Sequence, residues 1–136
     1  MDVSFSDSRN KLRALRPEIP SLDLAAASNP AEQFQQDTLR PLLKYQNELL
    51  IAAFTAYTKG QKGVFFSLAD PERMAYIEAR FRKDLSLRHY FVGILVGHFT
   101  MAEYERYLVC EKEIRRRAVN LIIQRLQDQL TGPQST

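Results

Sequence analysis

The stretch that most constrains the fold is the eleven residues 89–99, which contain no Lys, Arg, Asp or Glu. The run is almost wholly apolar and is interrupted by Gly93 and Gly97. The alternating apolar residues at 92–96 also fit a buried strand, because periodicity alone does not separate the two. The only other strand-like fragment is residues 64–66, too short to be a good partner. We therefore expect a helix that is apolar on every side and covered by other helices.

Gly93 and Gly97 lie four positions apart, so on a helix they share one face. The absence of side chains there would let another backbone approach closely. In a membrane this spacing is typical of dimerising helices, but the run is far shorter than the roughly 20 residues that a membrane span needs. The sequence therefore predicts helix packing at Gly93 and Gly97 in a core, and no membrane insertion.

Helix-start signals divide the rest of the chain. Asn29-Pro30-Ala31-Glu32 and Thr100-Met101-Ala102-Glu103 both have the capping-box pattern, and Asp70-Pro71 opens another helix. Pro41 should kink or split the first of these helices near residue 39. Residues 71–97 form either one bent helix or two. The last helix should run from about 101 to 130, about 45 Å at 1.5 Å per residue.

These signals predict an all-α fold, a compact bundle of about four to five helices. A buried apolar helix at about 86–97 lies at its centre, and a long C-terminal helix covers about 101–130. We expect residues 1–28 to be an N-terminal arm, loosely docked or mobile, residues 29–131 to be the bundle and 132–136 a tail. A chain of 136 residues can bury a core without disulfides.

Charge and cysteine content limit the environment and the partners. The net charge of +3 is spread thinly along the helices, whereas nucleic-acid-binding proteins usually concentrate basic residues in a stripe. Nucleic acid is therefore an unlikely partner by this criterion. The single Cys110 cannot form an internal disulfide, which favours a reducing compartment. With no secretory leader pattern, the expected location is the cytoplasm.

Residues that could carry catalysis are sparse. His89 and His98 lie nine positions apart, so on one helix they face opposite ways and cannot share a metal ion. Cys110 is next to Glu111, whose negative charge would raise the thiol pKa rather than lower it. No glycine-rich phosphate loop is present. We expect no catalytic residue, no metal and no cofactor, and the sequence favours a non-enzymatic role over enzymatic activity.

Several polar residues nevertheless lie beside apolar helix faces. If Arg40, Gln46, Arg88 and His98 converged in a cleft, they would form a small-molecule or peptide site. Residues 115–117 are three consecutive arginines, which a helix spreads over about 200°. They cannot form one stripe, although with neighbouring bases they could touch phosphate.

Two longer patterns resemble a small bacterial protein family. They are Asn29-Pro30-x-Glu32-x-Phe34-Gln35-x-x-Thr38-Leu39-Arg40-Pro41, followed by Lys44-x-Gln46-Asn47-x-Leu49-Leu50 and Phe54-x-x-Tyr57, and Gly93-x-x-x-Gly97-x-Phe99-Thr100-x-x-Glu103-Tyr104. The resemblance covers about residues 29–130 and implies a helical fold of uncharacterised role. Some members carry the label glyoxalase. The metal-binding βαβββ glyoxalases use His, Glu or Gln ligands on strands, and this sequence predicts neither the strands nor a ligand set.

The sequence favours a non-enzymatic helical module for protein–protein interaction or assembly, self-associating as a homodimer or joining another protein. The long last helix and the paired glycines suggest it. One alternative is a small-molecule-binding protein or enzyme with a polar site between helices, to which a glyoxalase label would apply by resemblance. Another is weak nucleic-acid binding through residues 112–125, which would fade steeply with salt.

Overall fold

The computed structural model describes residues 3–18 and 29–132, with side chains from residue 7 onward. Within these ranges the chain is helical and has no strand, which confirms the predicted all-α class. The elements in order are α1 (Val3–Arg13), α2 (Pro30–Phe34), a π-helical turn (Gln35–Leu39), α3 (Arg40–Tyr45), α4 (Asn47–Gly60), a 3₁₀ turn (Phe65–Ser67), α5 (Asp70–Lys83), α6 (Leu85–Val96), α7 (Met101–Val109) and α8 (Glu111–Leu130).

The helix at the centre of the bundle is α8, not the predicted helix at 86–97. It packs against α4, α5, α6 and the π-helical turn. It also buries the most residues: Ile114, Ala118, Val119, Leu121, Ile122, Ile123, Leu126 and Leu130. By contrast, α6 buries one face and exposes His89, Tyr90 and Gly93. An uncharged run shows that a helix can be buried, but not that every side of it is covered.

The predicted long helix at 101–130 is wrong, because the chain breaks at Cys110. The backbone there has φ −137° and ψ 49°, outside the helical region, and separates α7 from α8. The 20 residues of α8 span about 30 Å. A similar break at Asp84, with φ −100° and ψ 99°, makes 71–97 two helices. There the Leu87 N–H donates to Asp84 Oδ1 at 3.1 Å and caps α6.

The predicted helix start at Asn29 is confirmed, since the Glu32 N–H donates to Asn29 Oδ1 at 2.8 Å. Pro41 has no N–H to continue the hydrogen-bond ladder, and the helix type changes just before it. The Arg40 N–H donates to the Gln35 carbonyl, a π-type bond across five residues. The helix therefore passes through Pro41 and first leaves helical geometry at Gln46, where φ is −93° and ψ 10°.

An aromatic cluster fills the end of the bundle between α4 and α5. Phe54 is fully buried, and its ring lies 5.5–6.4 Å from the centroids of Tyr57, Phe65, Tyr76 and Phe81. Phe65 plugs the bundle end as loop phenylalanines commonly do, whereas its neighbour Phe66 is 45% exposed.

The N-terminal helix contacts the α6–α7 connection through arginines. Arg9 donates from Nε to the Phe99 carbonyl at 2.6 Å and from Nη2 to the Gly97 carbonyl at 2.7 Å. Residues 19–28 and 133–136 lie outside the described residues. The division into an arm at 1–28, a bundle at 29–131 and a tail at 132–136 therefore stays a prediction.

Candidate functional site

The four residues predicted to form a ligand site do not all line one cleft. Arg40 is exposed at the start of α3 and lines a pocket against α8. Arg88 lines a different pocket, between α6 and α8. Gln46 sits at the break between α3 and α4, where its carbonyl accepts the Leu50 N–H at 2.9 Å. The structure does not bring Arg40 and Arg88 into one cleft.

Arg88 and His98 are held by structural contacts. Arg88 donates from Nη1 to the carbonyls of Phe81 and Arg82, at 3.2 and 3.0 Å, and so binds the C-terminal end of α5. His98 packs edge-on against Tyr45 with 5.5 Å between ring centroids. Burial lowers the pKa of His98, and the positive charges of Arg16 and Arg9 lower it further. This histidine is therefore held in its neutral form.

The described residues do not show the predicted close packing at Gly93 and Gly97. A Cβ built at Gly93 would meet no atom of the described residues within 4 Å. A Cβ at Gly97 would lie 3.3 Å from the Gly93 carbonyl oxygen of its own helix, with no atom of another described helix within 4 Å. Gly93 is instead exposed on the outer side of α6, where it leaves the backbone accessible to an incoming molecule.

Two adjoining pockets of about 260 and 270 Å³ follow this side of α6 and share His89, Val92 and Arg115. Together they form the α6–α8 groove, lined by Arg82, Leu85, Arg88, His89, Val92, Gly93, Val96, Tyr104, Tyr107, Glu111, Arg115, Arg116 and Val119. Val92, Val96 and Val119 give it an apolar floor. The groove thus runs from the start of α6 to α7.

Cations dominate the edges of the groove. Four arginines line it (Arg82, Arg88, Arg115 and Arg116), and Glu111 is the lining carboxylate. Arg115 contacts Glu111 at 3.6 Å and donates from Nε to Tyr107 Oη at 3.2 Å. Burial raises the pKa of Tyr107, although the hydrogen bond from Arg115 opposes the shift. The phenol therefore stays protonated and donates to Glu111 at 3.4 Å.

Arg116 also lines a second cationic cavity of about 280 Å³, the α3–α8 pocket. It is lined by Gln35, Arg40, Arg116, Arg117, Asn120, Leu121 and Gln124. No carboxylate is among these residues. The pocket joins the π-helical turn and α3 to the outer face of α8.

A larger cavity of about 510 Å³ lies between α1 and the start of α3. Its charges are mixed, since Arg13 and Arg16 face Glu18 and Asp37. Arg16 forms an ion pair with Glu103 at 2.7 Å, and Asp37 accepts from Arg106 at 2.9 Å. With its charges paired, this cavity has less capacity for a charged ligand than the two arginine-lined sites.

The sequence indicated neither arginine-lined site. Residues 115–117 do splay around α8, as predicted, but each side is completed by arginines from other helices: Arg82 and Arg88 on one side and Arg40 on the other. From the sequence alone, one can predict only that α8 carries positive charge on its surface. The partners are remote in the chain, so spacing along the sequence does not show them.

The described residues contain no group of three or more His, Cys, Asp or Glu arranged to hold a metal ion. No described helix is both long and apolar enough to cross a membrane.

The fold and its surface define a protein, all-α over the described residues, with a groove that combines valine and arginine side chains. No known protein family, no curated protein and no solved structure matches this chain. The resemblance to a small bacterial family, with its occasional glyoxalase label, stays a prediction.

Proposed function

We propose that this chain is a non-enzymatic protein–protein interaction module that binds an acidic amphipathic helix of a partner in the α6–α8 groove. The observation that carries the proposal is the combination of an apolar floor with four lining arginines against one lining carboxylate. Apolar side chains of a helix would bury on the valines, and its carboxylates would face the arginines.

The dimensions suit a short helix. α6 has 12 residues and is about 18 Å long, which matches about three turns of a docked helix. Helices that dock in grooves anchor through apolar residues at three- and four-residue spacing. The exposed Gly93 lies within the groove and offers no side chain against a partner backbone.

The arginines are partly ordered before any partner arrives. Arg82 donates to Asn120 Oδ1 at 3.0 Å, and Arg116 binds Glu113 with two hydrogen bonds. Ordering of long side chains in the free protein lowers the entropy lost on binding. Their charge should speed association with an acidic partner, an effect that salt screens.

Three groups with shifted pKa values, Glu103, Tyr57 and Asp84, belong to closed structural contacts outside the groove, which suits a non-enzymatic role. Glu103 is bound by Arg16, and Tyr57 donates to Asp84 at 2.9 Å and accepts from Arg80 at 3.1 Å. We also propose the cytoplasm as the location, since a free thiol at Cys110 suits a reducing compartment.

A second copy of this chain is the other occupant to test. The exposed residues of α6 are Leu85, Ser86, His89, Tyr90 and Gly93, and none of them is an Asp, Glu, Lys or Arg. Such a face could pair with itself. The break at Cys110 removes the long-helix argument for a dimer, and the arginines beside α6 would repel one another across a symmetric contact. These charges favour an acidic partner.

Fluorescence anisotropy tests the proposal with a labelled three-turn peptide that has leucines on one face and glutamates on the others. A peptide with lysine in place of every glutamate is the matched probe. We expect saturable, salt-sensitive binding of the glutamate peptide and at least about tenfold weaker binding of the lysine peptide. Equal binding of both peptides, or of neither, would contradict the proposal.

Gly93→Gln provides the site-specific variant, because it puts a side chain into the groove at a position where a Cβ meets nothing. Gly60→Gln is its control, another exposed helical glycine with free space around it, outside the groove. Only Gly93→Gln should weaken peptide binding. A concentration-dependent dimer that Gly93→Gln abolishes, with no peptide binding, would assign the groove to a second copy instead.

A further inference from the structure

We propose that the α3–α8 pocket binds a phosphate monoester group, free or carried on a phosphorylated side chain. This site shares Arg116 with the α6–α8 groove, but its test uses Arg40, which does not line the groove, and so does not depend on the function proposed there. The inference rests on N–H groups of the lining residues that donate to no described residue.

Arg40 is the cation of this pocket that has no partner. No described residue hydrogen-bonds or ion-pairs with its guanidinium, whose five N–H groups are all donors. It also lies near Arg125, whose pKa is lowered by burial, raised in part by the Asp128 carboxylate and lowered again by the positive charge of Arg40. An anion beside Arg40 would reduce the repulsion between these two arginines.

Two of the three amide side chains of the pocket are oriented as donors. Gln35 Oε1 accepts from Arg117 Nη1 at 2.9 Å, and Asn120 Oδ1 accepts from Arg82 Nη2 at 3.0 Å. These bonds fix which end of each amide is the oxygen. The NH₂ groups of Gln35 and Asn120 therefore remain as donors, with no acceptor among the described residues.

Arg116 and Arg117 are held in place by Glu113 and keep donors free. Glu113 accepts from Arg116 at 2.6 and 3.2 Å and from Arg117 at 2.8 Å. Hydrogen bonds from Arg116 and then Arg117 lower the pKa of Glu113, so it stays ionised. Arg116 Nη1 and Arg117 Nη2 have no acceptor among the described residues. Glu113 does not line the pocket, so it holds both arginines in place and leaves the pocket open to a ligand.

The free groups of the pocket are therefore mainly N–H donors from α2–α3 and α8, around a volume of about 280 Å³. A phosphate monoester presents three acceptor oxygens and a charge between −1.5 and −2 near neutral pH. A phosphodiester has only two such oxygens and one charge. Donors on both walls of a cavity suit the monoester better than a nucleic-acid backbone.

Isothermal titration calorimetry tests the site with four probes: inorganic phosphate, a phosphoserine peptide, the same peptide with serine, and a single-stranded oligonucleotide without terminal phosphate. We expect one-to-one binding of phosphate and of the phosphopeptide, and none of the serine peptide. Tighter binding of the phosphopeptide would identify a phosphorylated protein as the source, and equal or tighter binding of phosphate would identify a small molecule. Tightest binding of the oligonucleotide would overturn the monoester assignment, as would no binding of any probe.

Arg40→Gln is the decisive variant, since no described residue hydrogen-bonds or ion-pairs with the Arg40 side chain and its loss should leave the melting temperature nearly unchanged. We expect it to weaken phosphate binding by at least about tenfold, the value of a charge-assisted hydrogen bond. Lys112→Gln removes one positive charge from an exposed position of α8 outside the pocket and should weaken binding far less. Equal effects of the two variants would show a diffuse charge effect and overturn the site.

Discussion

Arg16 and Glu103, which are 87 positions apart in the chain, form a bidentate ion pair at 2.7 and 2.9 Å. Their side chains are only 5% and 3% exposed. Glu103 also accepts the Thr100 N–H at 2.8 Å, and Arg16 donates to the His98 carbonyl at 2.6 Å. The pair therefore ties the residues that follow α1 to the N-terminus of α7. Such hydrogen bonds are needed to offset the cost of removing two charges from water.

Removal of the Glu103 charge should destabilise the protein strongly. Glu103→Gln can keep the capping box but leaves Arg16 as a buried charge without its counter-ion. We expect a loss of about 3–5 kcal/mol in the free energy of unfolding, measured by urea denaturation at neutral pH. Glu105→Gln, an exposed change on the same helix, should stay within about 0.5 kcal/mol. Similar losses in the two variants would show that the ion pair contributes little.

The contribution of Glu103 should depend on pH. Burial raises the pKa of Glu103, but the hydrogen bonds from Arg16 and from the Thr100 backbone outweigh it, so the net shift is downward. A carboxyl whose native pKa is depressed stabilises the fold above its unfolded pKa of about 4.3 and loses this effect as pH falls through the native value. The difference between wild type and Glu103→Gln, from denaturation at a series of pH values, should therefore shrink in acid. A difference that persists at the lowest pH would contradict the assignment.

Gly93→Ala should stabilise the protein. Gly93 is inside α6, and a Cβ there meets no described atom within 4 Å, so the change removes the entropic cost of a helical glycine, about 0.5–1 kcal/mol. Gly63→Ala is the contrast, since its φ of +67° strains any side chain. Thermal melting should rise for the first and fall for the second. A fall for Gly93→Ala would indicate a close contact on that face.

The aromatic cluster should carry much of the stability. Phe54→Ala empties a fully buried position that contacts four other rings, and we expect a loss of about 3–5 kcal/mol. Tyr90→Ala removes a ring that is 61% exposed and should cost far less. Chemical denaturation of both variants measures the contrast. A small effect at Phe54 would mean that the core there repacks readily.

Local signals were the predictable part of the fold. The caps at Asn29 and Thr100 depend on residues three positions apart, and the structure has both. The break at Cys110 was not predictable, because no Gly, Pro or cap residue marks it and Tyr107 and Ile114 on either side are both buried. Burial of α6 was overestimated, since an uncharged sequence does not reveal which of its faces has a partner.

The two arginine-lined sites are harder to predict from sequence than the fold. The sequence predicts Arg40 and Arg88 in one site, but they line two different cavities that share Arg116. Each cavity combines arginines from helices that are remote in the chain. Periodicity places a residue on one face of its own helix, whereas the face of the neighbouring helix depends on packing angles that the sequence does not state.

The central claim is that the α6–α8 groove binds an acidic helix. NMR spectra of the ¹⁵N-labelled protein, recorded during titration with the glutamate peptide, test it most directly. We predict saturable shifts concentrated in α6 and the first half of α8, around Val92, Gly93 and Arg115, and lost in Gly93→Gln but kept in Gly60→Gln. Saturable shifts centred elsewhere, or the same shifts in Gly93→Gln, would contradict it.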